Sequence, residues 1–187
     1  MTLPSDQKIW QNAWVVPDVE AAAMQWVRQF GVGPFFITRY GDDLLTDLVY
    51  RGEPGSLNIL VAVSHAGPVQ IELIQRLDDA PTPYSDTVAP GQTAFHHVAV
   101  WTDDIDADLA HYRKQGSAVA VTGRVINSVR FAYVDTQDRL GCMVEMVERS
   151  ADFDARLRML EGICNNWDGG DPLRDMAAIG QEDGLSP

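Results

Sequence analysis

The sequence predicts an α+β fold built from two copies of one unit, a strand and a helix followed by further strands, with a helical extension behind them. Three observations lead there. The segment WQNAWVVPDVEAAAMQW from Trp10 answers HHVAVWTDDIDADLAHY from His96, at an offset of 86 positions. In both copies an apolar strand runs into an acidic helix start, with Pro17, Asp18 and Glu20 in one and Asp103, Asp104 and Asp106 in the other. Each copy then ends in an apolar strand carrying one glutamate, Glu72 in VQIELIQ and Glu145 in CMVEMVE.

Residues 8–16 read as the first strand, and 18–30 as a helix, because Ala22, Trp26 and Phe30 recur at helical spacing and Gly31 stops the run. Strands follow near 34–40, 46–51 and 57–63, with RYGDD and RGEPGS as turns, before the glutamate strand at 69–75. The segment RLDDAPTPYSDTVAPGQTA is a long loop rich in turn formers, and loops of this length in compact domains often line a functional site. The order then repeats: a strand at 95–101, a helix at 104–115 closed by Gly116, and strands near 118–124, 128–134 and 141–147. A helix over 151–164 carries Phe153, Leu157, Leu160 and Cys164 along one face. WDGGDPLRD is expected to turn, and AAIGQEDGLSP to fray. The expected divisions are a first module over 1–75, a connecting loop over 76–93, a second module over 94–148, and a C-terminal helix and tail over 149–187.

The chain has 187 residues, 45% of them hydrophobic, enough for one core or a pair of fused small ones. A net charge of -13 with no basic cluster repels phosphate backbones, so no nucleic-acid partner is expected. The start MTLPSDQKIWQN does not read as a secretory signal, and no apolar run approaches the roughly 18 residues of a membrane span. A cytoplasmic protein without membrane association is the expectation. Cys142 and Cys164 form neither a disulfide framework nor a thiolate metal pattern.

Two repeats with two polar positions each give Gln11, Glu72, His97 and Glu145. A strand alternates its side chains, so Glu72 shares a face with Gln70 and Ile74, and Glu145 with Met143 and Val147. Glutamates on the concave side of a curved sheet would be buried anions, costly to keep unless paired or bound to a cation. Two carboxylates, one imidazole and one amide oxygen neutralise a divalent ion and suit Zn, Ni, Co, Mn or Fe(II). Taken singly, Gln11 reads as an ordinary strand residue, His97 as a hydrogen-bonded core histidine, and the glutamates as solvent-facing. The shared offset of 86 joins them. His96, one residue out of phase, is expected to point away, with at most a supporting role.

On these residues the chain resembles the vicinal oxygen chelate superfamily, which includes glyoxalases, bleomycin-resistance proteins and extradiol dioxygenases, over roughly residues 8–148. The resemblance implies paired βαβββ modules forming a cupped eight-stranded mixed sheet around a metal, and a homodimer. FHHVAVWTDDID looks most like methylmalonyl-CoA epimerases, whereas the set Gln, Glu, His, Glu matches glyoxalase I. Glyoxalase I uses arginines where this chain has Val15 and Thr93, which argues against a glutathione adduct as substrate. The second epimerase base matches Asn58, which argues against two-base epimerisation, and Gln11 stands where extradiol dioxygenases have a histidine.

The resemblance therefore implies a divalent-metal-dependent isomerase or lyase that moves a proton next to a carbonyl, with Glu145 as base and Glu72 as the more permanent ligand. Pocket walls are expected from Trp14, Phe35, Phe36, Tyr40, Tyr84 and Trp101, with Asn58 at the epimerase base position. An aromatic or polycyclic carbonyl compound or an acyl thioester would suit such walls. The alternatives are a non-catalytic ligand-sequestering protein, which would have no need of two inward carboxylates, and more distantly a dioxygenase. The apolar face of helix 151–164 needs either a second copy of the chain or its own sheet to cover it.

Overall fold

The computed structural model describes residues 8–126 and 128–179. The first half runs β1 (Ile9–Val15), α1 (Val19–Phe30), β2 (Phe35–Tyr40), β3 (Leu45–Tyr50), β4 (Glu53–Pro54), β5 (Ile59–Ala66) and β6 (Val69–Arg76). The second runs β7 (Ala94–Thr102), α2 (Ile105–Lys114), β8 (Ala118–Val125), β9 (Arg130–Asp135), α3 (Gln137–Leu140) and β10 (Met143–Glu148). After these come α4 (Ala151–Asn165), β11 (Leu173–Asp175) and a 3₁₀ turn, Met176–Ala178.

The acidic helix starts are caps. Asp18 accepts from the Ala21 N–H at 2.9 Å and Asp104 from the Ala107 N–H at 3.0 Å, satisfying amides that open a helix. Both helices cover the same face of the sheet. Val19 and Ala23 of α1 pack with Phe35, Ala62, Ile71 and Leu73, and Ile105 and Leu109 of α2 pack with Val100, Ala132, Val134 and Met146.

The described strands form a single mixed sheet in the order β11-β2-β5-β6-β1-β7-β10-β9-β8-β3-β4. Within it, β2-β5-β6-β1 mirrors β8-β9-β10-β7, with β1 parallel to β6 and β7 parallel to β10. The predicted sheet of eight strands is corrected to eleven among the described residues. Segment 46–51, expected inside the first half, crosses the molecule instead. As β3 it pairs antiparallel with β8, Leu45 opposite Val125 and Tyr50 opposite Val121, and β4 adds to its outer edge. The expected turn WDGGDPLRD contains β11, a parallel edge strand on β2 with Leu173 opposite Phe35. Of the tail expected to fray, residues 180–187 lie outside the described residues.

Helix α4 begins with Ser150 accepting from the Phe153 N–H at 3.1 Å and lies against β5 on the face away from α1 and α2. Leu160 and Cys164 are buried there. Its apolar face is thus covered by the chain's own sheet, which removes the helix as an argument for a dimer. Among the described residues no helix is long and apolar enough to cross a membrane.

Candidate metal centre

Four ligand-type side chains stand on the four central strands, in an arrangement set by register. Glu72, Ala13, His97 and Met143 are neighbours in one row across β6, β1, β7 and β10, and Gln70, Gln11, Ala99 and Glu145 form the next row. Ala13 and Ala99, themselves 86 positions apart and fully buried, keep the middle of both rows low. Space is left between the four polar groups.

The geometry joins three of the predicted ligands directly. His97 Nε2 lies 3.3 Å from Glu72 Oε2 and 3.3 Å from Glu145 Oε2, without the alignment of a hydrogen bond. Ligand atoms of Glu72, His97 and Glu145 all fall within 4.8 Å of one another. Gln11 lines the same cavity: its Nε2 donates to Gln70 Oε1 at 2.7 Å, and its Oε1 is buried without a hydrogen-bond partner. Gln70 in turn lies 3.3 Å from His65 Nε2.

Electrostatics follow from two carboxylates at a closed site. Burial alone would lower the His97 pKa, but Glu145 and Glu72 more than reverse this and raise it to about 9. Burial raises the Glu72 carboxyl above its ordinary value, against the pull of His97. His96 is pushed down to about 3, first by burial and then by His97. Burial and then Glu72 raise the Tyr40 phenol to about 12, and Tyr84 and Tyr133 also move well upward, mainly by burial. The three phenols stay protonated donors at neutral pH.

His96 corrects the expectation that it points away. The pairing of β1 with β7 skips one residue at two places, Trp10 on β1 and His96 on β7, again 86 positions apart. Each is a β-bulge, where the extra residue turns out of simple alternation. His96 consequently meets its neighbour: its Nδ1 is 2.8 Å from His97 Nδ1, and its Nε2 is 3.1 Å from the Pro83 carbonyl.

A cavity of about 140 Å³ opens over Gln11, Glu72 and Glu145, with His97 buried behind them. Phe36, Tyr40 and Tyr84 line it, the last from the long loop, where its hydroxyl lies 3.3 Å from that of Tyr133. The other expected wall residues lie elsewhere. Trp14 and Phe35 belong to the layer under α1, because strand alternation sends them to the opposite face. Asn58 is held by Arg39, which donates to its Oδ1 at 3.0 and 3.2 Å. Trp101 does not line the cavity but stacks on Trp10, which does, at 4.7 Å and 15° between planes. Among the lining residues missed are Trp10, Thr38, Gln70, Tyr133 and the α4 side chains Phe153, Arg156 and Leu157. Tyr133 was within reach of the sequence, since Phe131 and Tyr133 alternate on one face of β9.

The buried orphans test whether a metal fits. Gln11 Oε1, Glu72 Oε2 and His97 Nε2 are all buried without hydrogen-bond partners, a costly arrangement that a shared cation would relieve. Two carboxylates, an imidazole nitrogen and an amide oxygen are also a chemically ordinary donor set for a divalent transition metal.

A duplicated sheet with ligand-type side chains on its central strands is an architecture suited to holding one ion between its halves. The chain belongs to the glyoxalase/bleomycin resistance protein/dioxygenase superfamily, whose sequence profile it matches over residues 10–133. Among solved structures it is similar to methylmalonyl-CoA epimerase from Mycobacterium tuberculosis, with 20% identity and a TM-score of 0.57, covering 83% of this chain and 97% of that one. It is also similar to a Streptomyces coelicolor methylmalonyl-CoA epimerase variant in complex with 2-nitronate-propionyl-CoA, at 19% identity and a TM-score of 0.55, covering 80% of this chain and 100% of that one. A hypothetical protein from Bacillus halodurans matches at 15% identity and a TM-score of 0.54, covering 78% of this chain and 96% of that one. No curated protein sequence matches the chain.

Proposed function

We propose that the protein is a divalent-metal-dependent isomerase or lyase that moves a proton on the carbon next to a carbonyl. Gln11, Glu72, His97 and Glu145 hold the metal in this reading. The observation that carries it is the close set of ligand atoms on Glu72, His97 and Glu145, within 4.8 Å of one another beneath a mostly apolar cavity, with the Gln11 Oε1 buried there without a hydrogen-bond partner.

When bound, the ion supplies Lewis-acid stabilisation of the negative charge that grows on the carbonyl oxygen. Glu145 is the base. Its carboxylate faces the cavity, takes the proton from the carbon beside the carbonyl, and returns it to the same or a neighbouring carbon. Glu72 stays with the metal. The apolar residues Phe36, Ile59, Val61 and Phe131 exclude water from the exchange, and the protonated Tyr40 hydroxyl donates to substrate oxygen.

A volume of about 140 Å³ suits the reactive end of a substrate, since sites that enclose a whole drug-sized ligand run from about 300 to 1,000 Å³. That favours an acyl thioester, its tail outside, over a polycyclic ketone held entirely within. Arg156, exposed on α4 and lining the mouth, suits an acidic group on such a substrate. The proposed assembly is a homodimer; light scattering at micromolar concentration should give twice the chain mass, and 20.6 kDa would refute it.

The test is incubation of metal-loaded protein with acyl-CoA thioesters and aromatic ketones in deuterated solvent. Metal-dependent loss of the proton next to the carbonyl, absent in Glu145→Gln, supports the reading. Turnover that consumes molecular oxygen, with neither exchange nor a primary isotope effect at that carbon, overturns it in favour of a dioxygenase.

A further inference from the structure

We propose that His96 is a positioning residue that keeps a hydrogen on Nδ1 of His97, so that Nε2 is the nitrogen that offers its lone pair when a metal displaces the other proton between Glu72 and Glu145. The proposal rests on the metal reading of the site and names what holds one ligand in its binding form.

A chain of hydrogen bonds links the Pro83 carbonyl to the His97 ring. The Pro83 carbonyl can only accept, so the His96 Nε2 facing it at 3.1 Å carries the hydrogen. A neutral imidazole has one N–H, which leaves His96 Nδ1 as an acceptor. His97 Nδ1, 2.8 Å away, must then be the donor. With its hydrogen committed to Nδ1, the neutral His97 ring has its only lone pair at Nε2, the atom 3.3 Å from each glutamate. The opposite tautomer would set an N–H against the metal position and place two acceptor nitrogens 2.8 Å apart.

The local fold supplies both ends of this chain. Without the bulge in β7, neighbouring residues would project to opposite faces and His96 could not reach His97. The turn containing Pro83 and Tyr84 is buried against the same ring, with the Tyr84 and His96 ring centres 4.9 Å apart, and His96 itself is fully buried. At the equivalent bulge of the first half stands Trp10, which stacks on Trp101 and has no part in orienting Gln11. That task falls to Gln70, which accepts from Gln11 Nε2. The duplicated bulge therefore serves two purposes, rim packing in one half and ligand orientation in the other.

Two substitutions of His96 separate acceptor from bulk. Asparagine places its Oδ1 near the position of His96 Nδ1 and can accept from His97. Glutamine reaches the Pro83 carbonyl but leaves the Nδ1 position without an acceptor. Zn²⁺ affinity, measured by competition with a chelator, should fall about 10–100-fold in His96→Gln and stay near that of the unaltered protein in His96→Asn. In the metal-free protein, ¹⁵N spectra should show His96 with its hydrogen on Nε2 and a bare Nδ1. This second measurement needs neither bound metal nor a folded variant, so it decides the relay even if the unaltered protein takes up no metal. Equal Zn²⁺ affinity in both variants, or a His96 ring carrying its hydrogen on Nδ1, overturns the proposal.

Discussion

Raising the pH of the metal-stripped protein from 6 to 10 should cost it about 3 kcal/mol of stability through His97 alone. The ring is fully buried, so solvent screens it little, and its pKa rises from 6.5 to about 9 on folding. At about 1.4 kcal/mol per pH unit this corresponds to about 3 kcal/mol. For a raised histidine the folded state holds the proton more tightly than the unfolded chain. Its contribution is therefore full below pH 6.5 and is lost as pH climbs through about 9. Glu72 acts with the same sign at lower pH, because its raised carboxyl favours folding only while protonated. The assay is denaturant unfolding in excess chelator across this range, beside a Glu72→Gln/Glu145→Gln double variant that lacks the two anions. The unaltered protein should lose stability steeply, and the double variant should be nearly flat near pH 9. Identical pH dependence in the two proteins would refute the charge arrangement.

Other outcomes follow from the same geometry. Glu145→Gln should abolish proton exchange on a confirmed substrate more completely than it weakens metal binding, whereas Glu72→Gln should mainly lower metal affinity; chelator competition beside turnover separates the two. Zn²⁺ binding at pH 8 should release about one proton per chain, because the ion replaces the proton on His97, and a dye-monitored titration reads it directly. Leu160→Ala should cost about 2–5 kcal/mol in denaturant unfolding, since Leu160 is 3% exposed where α4 closes over the sheet. Gly33→Ala would bring a methyl group to 2.6 Å from the Trp167 ring and should dislodge the segment leading to β11, read as faster tryptic cleavage at Arg174 and a lower Tm.

The duplication carried most of the site. One offset of 86 positions aligns Gln11 with His97, Asp18 with Asp104 and Ala13 with Ala99, so local patterning and repeat symmetry were enough to place the central strands and both caps. The bulges at Trp10 and His96 were invisible, because an extra residue in a strand leaves the apolar composition unchanged while reversing which face it meets. Side-chain type alone points Trp14 and Phe35 to the pocket, whereas Trp14 stands an odd number of positions along the strand from Gln11, so that alternation sends it to the other face. The crossing of β3 to β8 depends on a partner more than seventy residues further along, which local pattern does not specify. Helical periodicity likewise gave α4 its apolar face without saying that the face closes the cup.

The most direct test of the central claim is the metal content of the purified chain, measured by elemental analysis beside thermal unfolding with added Zn, Ni, Co, Mn or Fe(II). The account predicts one divalent ion per chain, lost when His97 becomes alanine, and stabilisation of about 2.7 kcal/mol when free metal stands at about a hundred times its dissociation constant. A chain that carries no metal after careful preparation and gains no stability from any of these ions would contradict it.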